Sequence, residues 1–176
     1  KAQFCVEGRA SMVRFCEENN VPFDRCGKVI VATREDELPR LESLYERGVA
    51  NKVPGLEMVS GERVKEIEPH VAAIKALWAP NTGIVNYVKV AQVYQGKLQA
   101  AGGAVHFNSR LDRVARNGSE TTLETSGGAF GARHIVNCAG LHSDSVARMM
   151  GVKTDMRIIP FRGEYFSLTK DAERLV

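Results

Sequence analysis

The sequence predicts an α/β (α+β) fold, and three observations carry this. Apolar residues recur at helical spacing in stretches that alternate with short apolar runs of strand length. An Asn117-Gly118 pair separates two such runs, the signature of a tight hairpin. The apolar run His134–Cys138 passes through Gly140 into a further helical pattern. A helix feeding a strand beside another buried strand is the logic of layered α/β architecture, and a β-meander set inside it is less generic.

Taken in order, Phe4, Gly8, Met12 and Phe15 mark a helix that Glu17-Glu18-Asn19-Asn20 and Pro22 stop. No N-cap precedes Lys1, so an upstream segment is expected. Gly27–Ala32 reads as a strand. Thr33–Asp36 opens a helix with Leu38, Leu41, Leu44 and Tyr45 on one face; Pro39 is tolerated in its first turn, and Gly48 or Asn51 closes it. Ser60-Gly61-Glu62-Arg63 starts a short helix ending before Pro69. Ala72–Ala79 is a strand, Pro80–Gly83 a turn, and Val90, Val93, Tyr94, Leu98 and Ala101 stripe a helix that Gly102-Gly103 ends. The remainder reads as strands Ala104–Phe107, Arg110–Arg116, Glu120–Thr125, Ala129–Arg133 and His134–Cys138, then helix Ser143–Met150 and a last strand Arg157–Leu168.

Composition excludes several classes. Of the 176 residues 44% are hydrophobic and 26% charged, as in a globular protein, and the apolar runs are too short to span a bilayer. With 24 basic and 21 acidic residues mixed along the chain, the net charge of +3 leaves no footprint for nucleic acid. Cys5, Cys16, Cys26 and Cys138 form no CxxC pair, and His70, His106, His134 and His142 are scattered, so no metal site is expected. Cysteines this sparse suit a reducing compartment, and nothing in the first residues has the pattern of a signal or transit peptide. A cytoplasmic location is expected; contact with the inner face of a membrane is left open but not indicated.

The strongest local signal is Val136-Asn137-Cys138-Ala139-Gly140-Leu141-His142-Ser143-Asp144. A buried strand ending in small residues and turning through glycine into a helix lets backbone N–H groups approach a phosphate, with the helix dipole assisting. The plain alternative is a turn that needs a small residue for packing. Together with Phe4-Cys5-Val6-Glu7-Gly8, Cys26–Thr33, Ile67-Glu68-Pro69-His70, Thr82-Gly83-Ile84-Val85 and Pro160-Phe161-Arg162-Gly163-Glu164-Tyr165, this segment resembles the D-amino-acid-oxidase-like FAD oxidoreductases. Within them it resembles the L-2-hydroxyglutarate dehydrogenase/oxidase family, almost end to end.

The resemblance implies an incomplete FAD-binding, Rossmann-like lobe with a β-meander (residues 1–20 and 88–151) and an incomplete mixed-sheet substrate lobe (residues 21–87 and 152–176). The sequence departs from the family in containing no GxGxxG, the turn that holds a dinucleotide pyrophosphate. The chain by itself is therefore expected to be an inactive internal fragment. Carried over by residue, Leu111 matches the position whose main chain meets the adenine, with an ordinary buried leucine as the alternative. Cys138, Ala139 and Gly140 match the small-residue turn beside the pyrophosphate and ribityl chain. Asn137 either braces that turn or serves simple loop bonding, and His142 either lies near the cofactor or is an exposed first-turn residue. The apolar flanks of Cys138 favour an inert buried thiol over a redox one. Arg162 offers a guanidinium fork to an anionic substrate, against an ion pair with Glu164 as the plain reading; Asn86 and Tyr87 are weaker substrate candidates.

By resemblance the parent enzyme takes a small 2-hydroxy acid, best L-2-hydroxyglutarate, to its 2-oxo acid by hydride transfer to FAD, with oxygen or a quinone as electron acceptor. A related FAD enzyme acting on an amine or glycerol phosphate and a non-catalytic α/β binding module are the rival readings.

Overall fold

The computed structural model describes residues 2–171. The chain divides into two compact units between Ala101 and Gly102, the second running to Ser167. The first unit contains α1 (Ala2–Asn19), β1 (Phe23–Asp24), β2 (Val29–Ala32), α2 (Leu38–Ala50), β3 (Glu57–Ser60), α3 (Gly61–Ile67), β4 (Lys75–Trp78), β5 (Ile84–Val85) and α4 (Tyr87–Ala100). A single 3-10 turn, Glu35–Glu37, leads into α2.

The helix-forming stripes explain the core. Cys16 and Val21, at and just beyond the end of α1, are buried with Val90 of α4, and Phe15 stacks on Tyr94 with ring centroids 4.8 Å apart. The sheet β2-β4-β3 is antiparallel throughout. Leu41 of α2 is buried with Ala32 and Leu77 of this sheet; Val64 of α3 is buried with Val59 and Ala76. Ser60 caps α3 by accepting the Arg63 N–H, and Pro39 falls in the first turn of α2, as the sequence predicts. The short pairing of β1 with β5 was not legible, because each strand is two residues long.

The second unit holds the antiparallel meander β6 (Leu111–Asn117), β7 (Glu120–Thr125) and β8 (Gly128–Ala132), followed by a 3-10 turn, Gly140–His142, and α5 (Ser143–Met149). Asn117 pairs with Glu120 across a two-residue turn in which Gly118 takes φ +65°, and a bulge follows Leu111. Arg113 and Glu124 form an ion pair across β6 and β7.

Three expected strands are corrected here. Ala104–Phe107, His134–Cys138 and Arg157–Leu168 lie outside any ladder. A strand is held by the pairing of its N–H and C=O groups with a neighbour, and among the described residues these runs have none. Val136, expected to be buried, is 85% exposed, and Phe161, Tyr165 and Phe166 are exposed as well. His106 instead rests its ring on Phe130, centroids 4.5 Å apart. No described helix is long and apolar enough to cross a membrane.

Candidate functional site: a glycine turn leading into α5

The turn is built by one side chain. Asn137 Nδ2 donates to the Ser143 carbonyl at 2.8 Å, and Asn137 Oδ1 accepts the Ala139 N–H at 3.2 Å, so its amide spans the loop from both ends. The first 3-10 bond runs from the His142 N–H to the Ala139 carbonyl at 3.0 Å. The N–H groups of Gly140 and Leu141 precede it and, as in any helical first turn, have no place in the helical ladder. Gly140 adopts φ +54°, a conformation that side chains resist, and a Cβ built on it would meet nothing within 4 Å. The space over the turn is open, and Cys138, Ala139 and Gly140 are all exposed along it. Cys138 is thus not the buried thiol expected from its apolar flanks; with His134–Cys138 unpaired, nothing covers it.

Leu111 is partly buried at the start of β6, the strand against which α5 lies. His142 is exposed and stands immediately before α5. Arg162 is 86% exposed on the extended run after α5, its Nε 3.5 Å from Glu164 Oε1. The second unit therefore contains Leu111, Asn137–Gly140, His142 and Arg162. Asn86 and Tyr87 belong to the first unit, where Asn86 caps α4: its Oδ1 accepts the Lys89 N–H at 3.1 Å. The side-chain oxygen of this substrate candidate is thus engaged by a helix end.

Asp144 closes the motif Val136–Asp144, but the motif itself assigns it no role. Asp144 accepts Ser145 N–H through Oδ1 at 2.8 Å and Arg148 Nη2 through Oδ2 at 2.9 Å. The guanidinium of Arg148 holds its carboxyl below the usual aspartate range, helped by the Ile158 and Ser145 amides and opposed by partial desolvation. The available signal was the i,i+4 Asp–Arg spacing in a helix opened by an acid. Among the described residues no cluster of three His, Cys, Asp or Glu could hold a metal.

The FAD dependent oxidoreductase (DAO) family matches residues 1–175. The chain belongs to this family. It is 44% identical, over its whole length, to the L-2-hydroxyglutarate dehydrogenase of Indibacter alkaliphilus, and 36% identical to the mitochondrial L-2-hydroxyglutarate dehydrogenase of Homo sapiens. It spans 44% and 41% of those two proteins. Among solved structures it is similar to the L-proline dehydrogenase of P. horikoshii, with TM-score 0.77 and 18% identity, over 87% of this chain and 42% of that one. That likeness is one of fold, and it agrees with the α/β class read from the sequence. Asn137–Gly140 fits the family's cofactor: small exposed residues, a glycine whose missing Cβ leaves space, and first-turn N–H groups suited to phosphate oxygens.

Proposed function

We propose that the chain is part of an FAD-dependent oxidoreductase that converts L-2-hydroxyglutarate to 2-oxoglutarate. The observation that carries this reading is the end-to-end match, at 44% identity, to an L-2-hydroxyglutarate dehydrogenase. In this reading residues 1–20 and 88–151 serve the cofactor, and residues 21–87 and 152–176 serve the substrate. The flavin, when bound, would supply an acceptor for the hydride from the substrate C2 while the hydroxyl proton goes to a base, with oxygen or a quinone as the final electron acceptor. The Gly140 and Leu141 N–H groups hold the phosphate-bearing part of the cofactor, Asn137 keeps their loop closed, and the main chain at Leu111 meets the adenine.

Arg162 anchors one substrate carboxylate. Its present partner, Glu164, does not preclude this, because both side chains are mostly exposed and such pairs contribute about 0–1 kcal/mol. A substrate carboxylate entering a drier site with a bidentate grip forms the stronger bond.

Turnover of the full-length protein with an artificial electron acceptor tests the reading. L-2-hydroxyglutarate should be oxidised far faster than its D enantiomer, glycine, L-proline or glycerol 3-phosphate. Preference for an amine or for glycerol phosphate would overturn it.

A further inference from the structure

Among the described residues, the run from Val152 to Ser167 after α5 has no sheet partner, yet Arg162 must be held in place if it is to meet a substrate. One longer-range hydrogen bond ties this run to the helix. Ile158 N–H donates to Asp144 Oδ2 at 3.3 Å across fourteen residues. The other hydrogen bonds from within the run, Val152 N–H to the Ala147 carbonyl and Met156 N–H to Thr154 Oγ1, are local. Asp144 itself follows Ser143, whose carbonyl Asn137 grips at the other end of the glycine turn. A short path of bonded groups therefore leads from the cofactor turn, through the first turn of α5, to a point four residues before Arg162.

The geometry points to Asp144 as a positioning residue that fixes the Arg162 segment relative to the glycine turn. This rests on the function proposed above. Only 13% of the Asp144 side chain is exposed, and a carboxylate so covered needs donors for both oxygens. It has three: Ser145 N–H on Oδ1, with Arg148 Nη2 and Ile158 N–H on Oδ2. Asparagine presents one uncharged acceptor oxygen and two donors of its own, so it leaves at least one of the three unserved and accepts the others more weakly. Arg148 shares Oδ2 with Ile158 but reaches it from within the helix, so it holds the carboxylate in place without itself bridging to the run. Hydride transfer needs the reacting carbon held at a defined place, and an anchor on an untethered segment would not hold it there.

The test uses the full-length protein with its flavin, comparing Asp144→Asn with Arg148→Met, which removes the intrahelical arm but keeps the acceptor for Ile158. Amide hydrogen exchange is read by mass spectrometry on peptides covering residues 155–162 and, as a reference, β7. Steady-state kinetics are read in parallel. In Asp144→Asn, exchange over 155–162 should quicken about tenfold with β7 unchanged, and KM should rise about tenfold with kcat within about twofold and flavin content normal. Arg148→Met should leave both within about twofold. In an Arg162→Met background the KM effect of Asp144→Asn should shrink, because the anchor it positions is gone. Unchanged exchange at 155–162, or KM effects that simply multiply, would overturn the positioning role. A wild-type protein that ignores L-2-hydroxyglutarate would count against the proposed function instead; the exchange comparison needs no turnover, and it alone then decides whether Asp144 holds this segment.

Discussion

Gly140 separates backbone strain from cofactor contact, because its surroundings contain no other cause of damage. Its φ of +54° lies in the left-handed region, so any side chain there costs about 1–2 kcal/mol. A Cβ would touch nothing within 4 Å, so no collision inside the chain adds to that. Gly140→Ala in the full-length protein should therefore lower apoprotein stability by about 1 kcal/mol, and Gly140→Val by about 2, valine being stiff at χ1. If the cofactor lies against this turn, the loss of flavin affinity must be larger. We expect about a hundredfold weakening for alanine, or roughly 2.7 kcal/mol, and no measurable retention for valine. Urea titration of the apoprotein and flavin titration by fluorescence quenching measure the two quantities separately. Normal flavin affinity in Gly140→Val would refute the contact. A loss of affinity no larger than the loss of stability would show that strain alone explains the glycine.

Other perturbations probe different levels. Arg162→Met should lower kcat/KM for the dicarboxylate about a hundredfold, with flavin content normal; unchanged kinetics would leave Arg162 as the partner of Glu164 and nothing more. Val64, fully buried against Val59 and Ala76, should cost about 2 kcal/mol on truncation to alanine, measured by urea denaturation, and a cost below 0.5 would mean that this core collapses freely. Glu37 accepts the Thr33 N–H at 2.7 Å, which with Arg34 holds its carboxyl below the ordinary range. A depressed folded value means that its stabilisation is fully present above the unfolded value of about 4.3 and is lost as pH falls through the folded one. The stability gap between wild type and Glu37→Gln should accordingly be constant near neutrality and close on acidification; a gap that widens in acid would reverse the assignment.

Helices were the most legible part of the chain, because their signals are local. Ser60, Pro39 and the Gly102-Gly103 stop act within a turn or two, and the structure uses each where the sequence puts it. The meander was equally readable, since the Asn117-Gly118 pair marks its hairpin turn and Ser126-Gly127-Gly128 the next. What failed was the inference from apolar runs to paired strands. Val136 and Phe161 have the composition of buried strand, but a ladder requires a neighbour that composition does not name. The two-residue strands β1 and β5 carry too few residues to show a period. At the site, the small-residue turn was visible from its residue types. Asp144 was not, because its importance lies in a bond to Ile158 across fourteen residues that no local pattern encodes.

The central claim is tested most directly by anaerobic mixing of the full-length, flavin-loaded protein with each enantiomer of 2-hydroxyglutarate. The L form should bleach the oxidised flavin band in a single turnover and yield 2-oxoglutarate equal to the flavin reduced, while the D form leaves the band unchanged. A flavin that stays oxidised with L-2-hydroxyglutarate, or that is reduced by the D form alone, would contradict the account.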